Sequence, residues 1–166
     1  MKSPLLGKTI VLGVTGSIAA YKSVDLASHL TQKGARVSVL MTEAATKFVS
    51  PLTFESITHQ PVISNLFGNG PGSGITHVDL ANDADLLVIA PATANTIAKL
   101  AYGFAGDPFS VVALATKAPM LIAPAMDGAM WGKEATRDNI DVLRSRGAMF
   151  AGPQEGHLAS GLTGWG

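Results

Sequence analysis

The residues of this chain most able to do chemistry sit in short polar or glycine-rich segments, each following an apolar run. Gly13 to Ala20 (GVTGSIAA) is a glycine-rich turn leading into helical sequence. Such a turn offers backbone N–H groups at the positive end of a helix dipole, a ready site for a phosphate. Its spacing is neither G-x-G-x-x-G nor G-x-x-x-x-G-K-[ST]. Two readings stay open here: Gly16 and Ser17 hold a phosphate, or Gly16 makes a tight turn and Ser17 caps the helix. The next apolar run ends Leu40-Met41-Thr42, with a hydroxyl and no carboxylate, although Glu43 follows at once. A dinucleotide with a free ribose asks for an acidic residue at that strand. Ser17 and Thr42 therefore favour a mononucleotide phosphate over NAD.

Pro91 to Thr96 (PATANT) follows the run DLLVIA. Its small residues let a flat ring approach the backbone, and Asn95 with Thr93 and Thr96 can hydrogen-bond the ring's polar edge. The same segment also reads as a proline turn with Thr93 as helix N-cap. Pro124 to Trp131 (PAMDGAMW) sets the carboxylate of Asp127 between Met126 and Met130. Met and Trp together are ordinarily packing, but a carboxylate at a strand end asks for a polar partner. His77, in THVDL after a glycine loop, is of the type whose pKa, about 6.5, permits proton exchange at neutral pH. It reads as a proton carrier or as a solvated residue at a helix start. His29, His59 and His157 share no metal-ligand spacing and no cysteine is present, so no metal site is expected.

Positioning these segments requires a regular scaffold. Lys8–Thr15, Ala35–Thr42, Asp85–Ala90 and Met120–Ala123 read as buried strands, with Ala148–Ala151 closing the sheet and a weaker strand at Pro61–Phe67. Helical sequence separates them: Ser17–Lys33 stopped by Gly34, then Pro51–Thr58, Thr93–Tyr102, Phe109–Thr116 and Lys133–Arg146. Asn69–Gly74 reads as a flexible loop, and the chain from Gly152 onward as loop. Continuously apolar strands mean that both sheet faces are covered. Strand–helix alternation then gives an α/β, Rossmann-like or flavodoxin-like three-layer sandwich around a parallel, doubly wound sheet. Residues 1–166 form one domain on this reading. Ligands in such folds bind beyond the C-terminal strand ends, where the segments above lie.

Hydrophobic residues make up 47% and charged residues 14% of the 166, which suits a buried core and argues against disorder. Lys+Arg and Asp+Glu each total 12. With no basic surplus, neither nucleic acid nor a membrane surface is an expected partner. The chain opens with no signal-peptide pattern and no apolar run reaches transmembrane length. A cytoplasmic protein is the expectation.

GVTGSIAAYK (Gly13 to Lys22), THVDLA around His77, PATANT, PAMDGAMW and LASGLTGWG (Leu158 to Gly166) occur in this order. Together they resemble the homo-oligomeric flavin-containing Cys decarboxylases, most of all the branch acting on phosphopantothenoylcysteine. The resemblance implies FMN as cofactor, with Gly16, Ser17 and Ile18 on its phosphate, Thr42 assisting, and Ala92, Thr93, Asn95 and Thr96 along the flavin. It implies His77 as the essential base, Asp127 and Ser160 as further catalytic positions, and Asn95, Met126, Asp127 and Met130 as substrate contacts. In the implied reaction the carbon next to sulfur in the substrate's cysteine gives up a hydride to FMN. The thioaldehyde so formed is an electron sink β to the carboxylate, carbon dioxide leaves, and an enethiolate remains. Return of the hydride gives phosphopantetheine, for coenzyme A biosynthesis, with no net redox change. The implied assembly is a trimer, often grouped into dodecamers, with flavin near the trimer contact.

Departures from the family pattern fall at two chemical positions. Asp127 stands where P-x-M-N-x-x-M-W has asparagine. An amide can donate to a substrate carboxylate, whereas an ionised aspartate repels it. Asp127 is therefore either protonated in a buried site or in contact with another substrate group. Ser160 stands where many members carry a cysteine associated with the final reduction, and a hydroxyl is the poorer proton donor. Gly106-Asp107-Pro108 replaces an Asp-Asp-Leu-type run, with no functional meaning attached. The sequence stops where the family motif continues with Arg-Met. A truncated chain is thus expected, with a phosphopantothenate–cysteine ligase domain fused beyond it in bacterial members. Alternative readings are a peptidyl-cysteine decarboxylase of lantibiotic maturation and a non-catalytic regulatory flavoprotein. The regulatory relatives carry acidic extensions that this sequence lacks.

Overall fold

The computed structural model describes residues 3–65, 77–157, 159, 161 and 163–165. Its main sheet has five parallel strands, β1 (Thr9–Val14), β2 (Arg36–Met41), β3 (Leu86–Ala92), β4 (Met120–Pro124) and β5 (Met149–Phe150), in the order β2-β1-β3-β4-β5. Side chains alternate across it. Ile10, Leu12 and Val14 enter one apolar cluster with Val37, Val39, Met41 and Phe54. Val11 enters the other with Leu87, Ile89, Phe109 and Ile122. An apolar strand with period-two alternation must bury both faces, and helices do so. α1 (Ala20–Gln32) and α2 (Pro51–Thr58) cover the first face. The second is covered by α3 (His77–Asp83), α4 (Ala94–Tyr102) and α5 (Pro108–Ala115); after the single turn α6 (Gly128–Trp131), α7 (Glu134–Ser145) completes it. Gly13 belongs to this packing, because a Cβ there would lie 2.7 Å from the Phe109 ring.

The 2-1-3-4-5 order is the flavodoxin-like one, and it puts the topological switch point between β1 and β3. Several element ends differ from expectation. α1 starts at Ala20 and not at Ser17, since the Ser17 N–H turns back to the Thr15 carbonyl (2.9 Å) and the Ala20 N–H to the Ser17 carbonyl (2.9 Å). The strand expected over Pro61–Phe67 shrinks to one bridge, Ile63 beside Leu40; Pro61 has no N–H for a ladder. Phe67 and the Asn69–Gly74 loop lie outside the described residues. β3 continues beyond Ala90 through Pro91 to Ala92, and its register with β4 shifts between Ile89 and Ala92. The tail is not wholly loop either: β6 (Glu155–His157) and β7 (Thr163–Trp165) pair antiparallel. Thr163 and Trp165 are strand-forming types, and Gly161 takes a φ of 82° between the strands. Among the described residues, no helix is long and apolar enough to cross a membrane.

Candidate functional site

Two clefts open at the C-terminal ends of the strands. The turns after β1, β2 and β3 bring Gly16, Thr42, Thr93, Asn95 and Thr96 into one cleft of about 1020 Å³, which α6 closes with Met130. On the other side of Gly16, a second cleft of about 1000 Å³ is walled by Ser17, Ile18, Met126, Asp127 and the β6 strand. The expected phosphate residues are thus split: Gly16 and Thr42 line the first cleft, Ser17 and Ile18 the second. The late start of α1 causes this, by leaving residues 16–19 as a ridge ahead of the helix.

The first cleft is built from helix and strand ends. Thr93 caps α4, its Oγ1 accepting the Thr96 N–H at 3.2 Å and donating to Thr96 Oγ1 at 3.0 Å. Ala94 and Asn95 fill the first turn, where backbone N–H groups have no intrahelical acceptor and the dipole is positive. Thr93 is thus the cap of the proline-turn reading, and the exposed Asn95 stands on the cleft wall. Thr42 Oγ1 accepts the Ala45 N–H at 3.2 Å. A Cβ on Gly16 would fall 2.5 Å from the Ala44 Cβ and 3.2 Å from the Ala44 carbonyl carbon. Glycine is what lets the turns after β1 and β2 touch, which is the tight-turn reading. Ser17 Oγ accepts the Ala19 N–H at 3.2 Å, so its own proton remains for another partner.

Sequence reasoning missed two groups here. The first is the buried pair Thr15 and Ser23, whose hydroxyls bond the Pro91 and Ala90 carbonyls; small hydroxyl residues amid apolar ones carry no signal of their own. The second is an ion pair in the cleft wall, with Lys99 Nζ 3.0 Å from Asp107 Oδ2. Asp107 also caps α5 by accepting the Ser110 N–H at 2.9 Å. Burial pushes its carboxyl up, but the bonds from Ser110 and Lys99 outweigh this and hold its pKa below the ordinary value. The signal was present, as Asp, then Pro at the first helical position, then Ser at the third, is a capping pattern.

The remaining expected residues are placed as follows. Asp127 is exposed and caps α6, its Oδ1 accepting the Ala129 N–H at 2.8 Å. Asparagine would make the same cap, so the exchange leaves the fold intact. Ala92 ends β3 fully buried and lines neither cleft. His77 opens α3, exposed, and also lines neither. Ser160 lies outside the described residues. Among those described, no group of three or more His, Cys, Asp or Glu could hold a metal ion.

The chain has clear likenesses among known proteins. The coenzyme A biosynthesis bifunctional protein CoaBC of Bacillus subtilis (strain 168) is 46% identical over 162 residues, 98% of this chain and 40% of the relative. CoaBC of Escherichia coli (strain K12) is 44% identical over 160 residues, 96% of this chain and 39% of the relative. The chain thus spans about 40% of the length of these relatives. Among solved structures, the FMN-dependent cysteine decarboxylase SpaF is 33% identical with a TM-score of 0.83, over 98% of this chain and 91% of that one. A PPC decarboxylase mutant complexed with pantothenoylaminoethenethiol is 29% identical with a TM-score of 0.82, over 96% and 90%. The flavoprotein family model matches residues 1–165, and with a sheet in the flavodoxin-like order behind that match, this chain belongs to the flavoprotein family.

Proposed function

We propose that this chain is an FMN-dependent decarboxylase that converts phosphopantothenoylcysteine to phosphopantetheine in coenzyme A biosynthesis. One observation carries the reading. The first cleft gathers hydroxyl and amide donors from the ends of three neighbouring strands at the β1/β3 switch point, in a chain 46% identical to a CoaBC protein.

The residues present suit FMN. The Thr42 hydroxyl, on the first cleft, and the Ser17 hydroxyl and Ile18 N–H, on the ridge between the clefts, would be donors for its phosphate. Glu43, next to Thr42, is turned to Lys47, 4.0 Å away. The Asn95 amide and the Thr96 hydroxyl match a flavin's polar edge, and Ala94 allows close approach. Bound FMN supplies the hydride acceptor and donor. The protein's own residues do the rest. The α4 N-terminus sets positive potential beside the cleft, and Met126 and Met130 exclude water. Asn95 donates to the substrate carboxylate. Asp127, exposed and with one oxygen engaged in its cap, uses the other to accept from a substrate amide or hydroxyl. Ser160 returns the last proton. His77 takes the thiol proton. Since it lines neither cleft of its own chain, it serves the cleft of a neighbouring copy, and a trimer-based homo-oligomer, up to a dodecamer, is part of this proposal. The CoaBC relatives are bifunctional, which supports a partner ligase domain; a cytoplasmic setting is part of the same proposal.

Mass spectrometry of products after incubating the FMN-loaded protein with phosphopantothenoylcysteine tests this. Loss of carbon dioxide alone is expected. A product lighter by a further two hydrogens would be the enethiol, and would show that Ser160 fails to support the last step. No turnover by FMN-loaded protein overturns the reading, and a peptidyl-cysteine substrate, suggested by the likeness to SpaF, becomes the next to try.

A further inference from the structure

The two carbonyls just before the β3–α4 turn are placed where neither neighbouring strand takes them. The β1–β3 ladder ends at Gly13 opposite Ile89, and the β3–β4 register shifts between Ile89 and Ala92. Two hydroxyls from the β1–α1 unit take over. Ser23 Oγ donates to the Ala90 carbonyl at 2.6 Å, and Thr15 Oγ1 donates to the Pro91 carbonyl at 2.6 Å. Thr15 Oγ1 also accepts the Thr93 N–H at 3.2 Å, and Thr93 in turn caps α4. Both hydroxyls are buried, at 1% exposure for Thr15 and 2% for Ser23.

A hydroxyl that both donates and accepts has its rotor set by its partners. Thr15 thereby fastens the end of β1 to the first turn of α4 through an unbroken run of hydrogen bonds. The residue after it, Gly16, lines the first cleft, and so does Thr93. These bonds therefore lie directly beneath the two turns that face each other across the cleft. Apolar packing alone needs no hydroxyl at this buried position, because valine has threonine's shape without its bonds.

We infer that Thr15 and Ser23 are positioning residues, a hydroxyl clasp that sets the spacing of the β1–α1 and β3–α4 turns to the one FMN requires; this rests on the FMN reading of the cleft. Three variants test it: Thr15→Val, Thr15→Ser and Ser23→Ala. Each is read by FMN titration, by the visible circular dichroism of bound FMN, and by thermal melting without FMN. Thr15→Val is expected to weaken FMN binding about tenfold, the size of one net hydrogen bond, and to alter the visible dichroism. Thr15→Ser, which keeps both bonds, stays within about twofold, and Ser23→Ala falls between. A Thr15→Val protein that melts lower but binds FMN with unchanged affinity and dichroism would limit the hydroxyl to stability and overturn the inference. If Thr15→Val does not fold, Ser23→Ala decides, with unchanged affinity and dichroism counting against the clasp. Absence of FMN binding by the unaltered protein overturns the functional reading itself, and the inference with it.

Discussion

The two clefts are almost equal in volume, about 1020 and 1000 Å³, yet they are made of different materials. The first is walled by strand ends and the start of a nine-residue helix, tied by buried hydroxyls at Thr15 and Ser23 and by the Lys99–Asp107 pair. The second is walled by the residues leading into α1, the end of β4 with Met126 and Asp127, and residues 151–157, which include the three-residue strand β6. Long-range bonds hold the first in one shape. In the second, Ala125 and Ala151 are tied to the sheet through their N–H groups, while the side-chain bonds of Ser17 and Asp127 stay within their own turns. A rigid ring gains affinity from donors organised before it binds, whereas a substrate that must come and go suits loop-built walls. Under the proposed function, this contrast favours the first cleft for the flavin ring and the second for the part of the substrate that meets Met126 and Asp127.

The largest effect expected concerns a residue on neither wall. His77→Asn should lower turnover at least about 100-fold, as removal of a general base does, with FMN retained. Mixing that variant with an FMN-deficient one should restore part of the activity, because intact His77 and an intact cleft then meet across copies. No restoration would place His77 elsewhere in the mechanism. Next, Gly16→Ala forces a methyl against Ala44. Overpacking of this kind costs about 1–3 kcal/mol, so thermal melting should fall and FMN affinity with it. Equal melting would show that the ridge yields, and would weaken the contrast between the walls.

Asp107→Asn keeps a capping side chain but loses the partner of Lys99, at a cost of about 1 kcal/mol at neutral pH. Its pKa in the folded state lies below the ordinary carboxylate value of about 3.9. The stabilisation is therefore complete above that value and disappears as pH falls through the folded one. Denaturant melts should show wild type and variant separated at pH 7 and converging toward pH 3. A gap independent of pH would mean that the ion pair is not its source. Asp85, whose pKa is lowered by Lys8 and Thr9, titrates in both proteins and so cancels from this difference. The smallest effect is Asp127→Asn. Both residues cap α6, so stability should change by less than about 0.5 kcal/mol, and KM for the substrate should change more than melting does.

The central strands were legible because β3 and β4 are apolar throughout and β1 and β2 nearly so, and the turns after β1, β3 and β4 were legible because glycine and proline mark them. What escaped was set by tertiary contact. Ser17 looked like a helix start, but its N–H closes on Thr15 and delays α1 to Ala20. Thr15 and Ser23 gave no local pattern, since their partners at Ala90 and Pro91 lie far along the chain. The tail looked like loop because of its glycines, yet β6 and β7 pair across Gly161. Among the site residues, the cleft does collect Thr42, Thr93, Asn95, Thr96 and Met130. That His77 stands apart from them could not be read from spacing, because no local pattern reports distance between segments of the fold.

The cap at residue 127 carries one more consequence. Aspartate and asparagine hold the α6 N-terminus equally well, so the charge at this point of the second cleft is independent of folding. Such a position can exchange a negative side chain for a neutral one with no compensating change elsewhere. It offers this scaffold an inexpensive route to new substrate preferences, in which specificity drifts while the architecture stays under unaltered selection.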